Sequence, residues 1–161
     1  MTTDYKTIAK NIKFEGRAFI NGKYVDAIDG EKFDNINPAT GETLCTIAKC
    51  NHKDVDLAVK VSRKAFNSGV WSKTSPEFRK DVLLKFAKLL RKQGEENSVL
   101  ECVDTGKLIG DCINEVANDA PMHFQWYGEL IDKVFGKVGP TEPSLTSLII
   151  KEPIGIVAGV V

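Results

Sequence analysis

A chain of 161 residues, 42% apolar and 27% charged, has the make-up of an ordinary soluble globular protein, long enough for one domain with a core or one domain plus an incomplete second. Its 22 basic and 22 acidic residues cancel, which removes the electrostatic argument for nucleic acid or an anionic membrane as partner. No uncharged apolar stretch nears the roughly 18 residues of a membrane span, and "MTTDYKTIAKNIKFEG" lacks the apolar core of a signal peptide. A cytoplasmic protein with reduced cysteines is the expectation.

Residues 1–15 are polar and without sustained period, and read as a short helix or a surface arm. In "RAFINGKYV" the pairs Phe19, Ile20 and Tyr24, Val25 flank Asn21-Gly22, a hairpin signal because both central residues of that turn need positive φ. "KFDNINPATGETLCTIAKC" sets Phe33, Ile36, Leu44 and Ile47 around a turn-rich "NPATGE", so the opening third is β. From Asn51 the period becomes helical. Val55, Ala58, Val59, Ser62 and Phe66 share a face, with Asn51 as N-cap and Gly69 after the end. "SPEFRKDVLLKFAKLLRKQG" predicts a second helix capped by Ser75, with Pro76 at the first position and an apolar stripe of Val82, Phe86, Leu89 and Leu90. "EENSVLECVDTGK" predicts a third, closed by Gly106.

A long helix is predicted over about Asn114 to Phe135, from Val116, Ala120, Phe124, Tyr127, Ile131 and Val134. Pro121 near its start either marks the first turn or bends it. "GKVGPTEP" reads as a loop, and "SLTSLIIKEPIGIVAGVV" as a strand, a Glu-Pro turn and a second strand. The run from Ile154 to Val161 has the apolar character of a strand buried on both faces. Such a strand is normally followed by a turn and a helix, so the expectation is that the natural chain continues.

The polar residues alone assemble no catalytic constellation. Four cysteines spaced Cys45-x4-Cys50 and Cys102-x9-Cys112 fit a structural zinc poorly, and read better as small buried hydrophobes and exposed thiols. His52 sits at a helix start beside Lys53, and His123 on a helix among bulky residues, neither beside a nucleophile. Glu115 and Asp119 are four apart, on one helical face, where like charges repel and require solvent or a cationic partner. Solvation is the commoner explanation; a mouth that attracts an amine is the other. Gly155 and Gly159 in "IGIVAGVV" precede no helix and make no phosphate cradle by themselves.

In order, "FINGKYV", "NPATGE", "AF..G.W", "LECVDTGK", "WYGELIDKVFG" and "KEPIGIVAGVV" resemble the N-terminal part of the NAD(P)-dependent aldehyde dehydrogenase superfamily, from about Phe19 to Val161. "NDAP" ahead of "WYGELIDKVFG", with "IIKEPIG", is most similar to enzymes for gamma-glutamyl-gamma-aminobutyraldehyde and related aminoaldehydes. The resemblance implies an α/β chain: an arm over 1–18, hairpins and helices of the cofactor-binding domain over 19–139, a bridging strand over 140–153 and the first Rossmann-like strand over 154–161.

By the same resemblance, Asp119 faces the substrate entrance and meets the amine, with Glu115 assisting. Val160 and Val161 line the groove for NAD or NADP. Asn35 and Asp104 offer backbone carbonyls to a monovalent cation, and the strand over 144–153 pairs with another subunit of a homo-oligomer. The family's Pro-Trp-Asn turn, ribose lysine, Gly-rich turn, glutamate base and cysteine nucleophile are not among these residues, and no cysteine here stands in the nucleophile's context. The implied whole protein oxidises an aldehyde to a carboxylate, while these 161 residues alone are expected to be inactive. The rival reading is a non-catalytic oligomerisation or interaction module, separated from the first by whether coding sequence continues beyond Val161. A cysteine-held metal module is a third, excluded by metal analysis without stoichiometric zinc.

Overall fold

The structure is a computed structural model that describes residues 3–160. Helix α1 (Tyr5–Asn11) is capped by Asp4, whose carboxylate accepts from Thr7 N–H. Strands β1 (Ala18–Ile20) and β2 (Lys23–Val25) pair antiparallel around Asn21 and Gly22, at φ 55° and 74°. The left-handed pair gives the turn a twist that matches the strands. β3 (Lys32–Ile36) and β4 (Thr43–Ala48) form a second hairpin whose register shifts between Asn35 and Ile36. Gly16 donates no side chain to this hairpin because none would fit: a Cβ there would overlap the Thr46 carbonyl oxygen.

α2 (His52–Ser68) begins in a reciprocal cap. Asn51 Oδ1 accepts from Lys53 N–H at 2.8 Å and Asp54 Oδ2 from Asn51 N–H at 2.9 Å. The other oxygen of the buried Asp54 accepts from Ile28 N–H at 2.9 Å, tying the helix to the chain after β2. Gly69 in the left-handed region ends it. α3 (Pro76–Lys92) starts at Ser75, whose Oγ accepts from Phe78 N–H. α4 (Gly94–Thr105) ends at left-handed Gly106.

The long helix is not one α-helix from Asn114. It begins at α5 (Ile109–Cys112), widens into a π turn (Ile113–Asp119), returns to α in α6 (Ala120–Leu130) and tightens to 3-10 over Ile131–Lys133. Pro121 explains the widening. It lacks the N–H for an α-type bond to Ala117, and its ring would crowd that carbonyl. A longer register avoids the clash, as in the bond from Ala120 N–H to the Glu115 carbonyl. The helix is thus neither started nor broken by the proline.

α3 packs on α6 through Gly128, where a Cβ would lie 3.1 Å from Leu83 Cβ, and through Phe86 and Phe124, edge to face at 4.6 Å. α4 packs on the π turn through Gly94 and Ala117. Buried apolar side chains among the described residues are small: Ala27, Ala48, Ala87, Val99 and Cys112, with Pro121. The predicted stripes are largely uncovered, with Val55 and Val59 on α2 and Val82 and Leu89 on α3 exposed. Period identifies such a face, but only part of it is covered among the described residues, as where Phe86 meets Phe124.

"GKVG" is not only loop. β5 (Lys137–Gly139) pairs antiparallel with β6 (Ser147–Ile149), and Leu145, Leu148, Ile149 and Ile150 are exposed. Residues 154–160 form no paired strand, with Ile154 94% and Val160 97% exposed. An apolar run becomes a ladder only beside a neighbour, and none of the described residues offers one. No helix of the described residues is long and apolar enough to cross a membrane.

Candidate functional site

Glu115 and Asp119 both lie on the π turn, which keeps residues four apart on one side of the helix. The two carboxylates differ in surroundings. Glu115 Oε2 accepts from Lys107 Nζ at 2.7 Å, and the same ammonium is 3.4 Å from Glu101 Oε1. Hydrogen bonds donated to these two carboxylates hold the Lys107 ammonium above its usual range, Glu115 contributing most. Asp119 has no ion-pair partner among the described residues and is exposed. Lys107 was not singled out in the sequence, although a lysine after the Gly106 helix stop was visible there.

One turn beyond Asp119, His123 Nδ1 is 2.8 Å from the Asp119 carbonyl oxygen. His123 lines a groove of about 250 Å³ with Met122, Trp126 and Tyr127. Trp126 and Tyr127 are 64% and 59% exposed, unusual for residues of their size, so this face of α6 can seat a ligand. Asp119 does not line this groove but sits on the preceding turn of the same helix, and an unpaired carboxylate one turn from aromatic side chains suits a cationic head with an apolar stem. A larger cavity, about 620 Å³, lies elsewhere, between the α2–α3 connection and the chain at Lys151–Gly155. It contains neither acidic residue.

Asn35 and Asp104, far apart in sequence, meet: Asn35 Nδ2 donates to Asp104 Oδ1. Asn35 stands at the register shift of β3, and Asp104 in the last turn of α4, where carbonyls lack helical partners. Oxygen-only donors of this kind suit a hard cation. No cluster of three or more His, Cys, Asp or Glu is positioned for a metal among the described residues. Val160 is exposed on unpaired chain, and Val161 lies outside the described residues. Gly155 and Gly159 are followed by no helix there, so these residues do not by themselves fit a dinucleotide phosphate.

Cys112 and Cys102 do not read as nucleophiles. Cys112 is fully buried, and burial pushes its thiol up, away from the thiolate. Cys102 Sγ donates to the Lys107 carbonyl at 3.1 Å, which requires it to hold its proton.

Residues 24–161 match the aldehyde dehydrogenase family. The chain is 39% identical over 153 residues to the NADP/NAD-dependent aldehyde dehydrogenase PuuC of Escherichia coli, covering 95% of this chain and 31% of that protein. It superposes on the P. syringae AldA indole-3-acetaldehyde dehydrogenase, solved in complex with NAD+ and IAA, with a TM-score of 0.90 and 40% identity, covering 94% of this chain and 31% of that one. A gamma-glutamyl-gamma-aminobutyraldehyde dehydrogenase from Burkholderia cenocepacia gives 0.86 and 41%, covering 90% and 29%. The chain therefore belongs to the aldehyde dehydrogenase family, and it spans about 31% of the length of the curated relative described above.

Proposed function

We propose that the whole protein is a cytoplasmic, NAD(P)-dependent aldehyde dehydrogenase whose substrate is an aminoaldehyde, oxidised to the carboxylate, and that this chain supplies the amine-facing rim of its entrance. One observation carries the substrate class: Asp119 is left without a cationic partner one helical turn before an aromatic groove, while its neighbour Glu115 is paired with Lys107. A substrate ammonium is the complement of that carboxylate. Asp119 is therefore the amine-reading residue and Glu115 a structural one, a narrower assignment than the acidic pair acting together.

The dinucleotide, when bound, accepts the hydride of the aldehyde carbon. Val160 and Val161 are the only residues of this chain proposed to line its groove. The chain's remaining contribution is to orient the substrate by its amine end, and this chain alone is expected not to turn over aldehyde, Cys112 being buried with its thiol pushed up and Cys102 donating to a backbone carbonyl. A monovalent cation bridging the carbonyls of Asn35 and Asp104 would secure α4 to the β3–β4 hairpin. Replacing potassium and sodium by a bulky organic cation then lowers the melting temperature, and an unchanged melt removes that role. The free edge of β6 is proposed to pair with a second copy within the span 144–153, 140–153 being the bridging segment between the unit over 19–139 and the strand over 154–161.

The test compares kcat/KM of the whole enzyme for an aminoaldehyde and an uncharged aldehyde of equal length. Asp119→Asn is expected to lower the ratio about tenfold, the effect of losing one ion pair in a partly enclosed groove. A ratio that does not move means that Asp119 does not meet the amine.

A further inference from the structure

The bond between His123 and Asp119 fixes more than a ring position. A carbonyl oxygen can only accept, so Nδ1, 2.8 Å from the Asp119 carbonyl, carries the proton. In the neutral ring, Nε2 is then an acceptor with a free lone pair. No donor of the described residues is bonded to that nitrogen. The fixing contact lies within one turn of the helix, between the ring and the carbonyl four residues before it. The ring is part of the groove wall with Met122, Trp126 and Tyr127, one turn from the unpaired Asp119 carboxylate. The groove wall therefore carries an oriented imidazole, and the helical turn before it a charge.

These groups read different properties of a cation. Asp119 attracts any ammonium, because Coulomb attraction at contact depends on charge and distance and little on whether the nitrogen bears hydrogens. An acceptor can only be satisfied by an N–H. We propose that His123 is a specificity-determining residue that accepts a hydrogen bond from the substrate ammonium and so favours primary aminoaldehydes over trimethylammonium aldehydes of the same charge. The inference deepens the aminoaldehyde reading and rests on it. A site that hydrogen-bonds a substrate N–H discriminates against the analogue lacking it, because the acceptor is then covered without a partner. For a neutral acceptor and a charged donor in a groove open on one side, the discrimination is about tenfold.

The experiment measures kcat/KM of the whole enzyme for aminopropionaldehyde, its trimethylammonium counterpart and butyraldehyde, in wild type, His123→Phe, His123→Gln and Asp119→Asn. His123→Phe is expected to lower the ratio of the primary amine to butyraldehyde about tenfold, through KM, and the ratio of the trimethylammonium aldehyde to butyraldehyde by less than about twofold. His123→Gln, which offers an oxygen acceptor at similar reach, restores most of the loss. Rates that fall together for all three aldehydes in His123→Phe and stay low in His123→Gln overturn the inference in favour of a structural role. If Asp119→Asn suppresses both cationic substrates while His123→Phe leaves the primary-to-quaternary ratio intact, the inference about His123 fails alone. If wild type prefers neither cation over butyraldehyde, the aminoaldehyde reading fails and the inference with it.

Discussion

Gly94→Ala tests the contact between α4 and the π turn. A Cβ at Gly94 would stand 2.8 Å from Ala117 Cβ and 3.1 Å from its Cα, and Gly94 is buried, so the methyl cannot turn to solvent. Carbon atoms rest about 3.5–4.0 Å apart, so α4 and the π turn must separate by about 0.7 Å or more. Overpacking of this size costs about 1–3 kcal/mol. The helix-propensity gain of alanine over glycine, about 1 kcal/mol in a helix interior, is smaller at a first helical position. The expected net loss is about 1–2 kcal/mol, read by urea unfolding. Ala117→Gly removes the opposing methyl, so the double variant should recover, with a coupling of about 1 kcal/mol or more in the cycle. Ala117 lies between Glu115 and Asp119, so the preference for aminoaldehyde should weaken in Gly94→Ala and return in the double variant. A Gly94→Ala protein at least as stable as its parent, or no recovery on adding Ala117→Gly, refutes the packing argument.

Lys107→Met releases Glu115 as a second free carboxylate near Asp119. The aminoaldehyde preference should rise, by at most about threefold and fading at high salt, whereas a fall would mean that Lys107 itself contacts substrate. The two backbone N–H groups on Asp54, from Asn51 first and Ile28 second, hold its carboxyl below the usual range. A carboxyl depressed in the folded state stabilises above its unfolded value of about 4, and that stabilisation is lost as pH falls through the folded value. The stability gap between parent and Asp54→Asn should therefore be wide at neutral pH and close on acidification; a gap independent of pH would contradict the role given to those bonds. Truncation after Gly139 removes β6, and light scattering should then find a smaller assembly. An unchanged oligomer would show that the edge of β6 is not the interface.

Some of this molecule is fixed by chemistry within a few residues, and that part was legible directly. Asn21-Gly22 tolerates the left-handed turn, Asn51 and Ser75 satisfy helix N-termini, and Gly69 and Gly106 end helices. Each needs only its neighbours in the chain. The ordered motifs likewise identified the family, since they are properties of sequence itself.

The remainder depends on who meets whom. The period of α2 and α3 marks apolar faces but cannot say what covers them, and Val59 and Leu89 stay exposed among the described residues. A proline was visible at 121, yet whether it would start, bend or widen a helix showed only in the folded chain, where a π turn precedes it and packs on α4 through Gly94 and Ala117. The pairing of Lys137–Gly139 with Ser147–Ile149 needed a partner strand, which "GKVG" by itself does not predict. The site divides in the same way. Spacing put Glu115 and Asp119 on one face, but only the folded chain brought Lys107 to one of them and left the other free. Local rules act over a turn or two of backbone, whereas the charge left over for a ligand is what remains after every long-range partner has been placed.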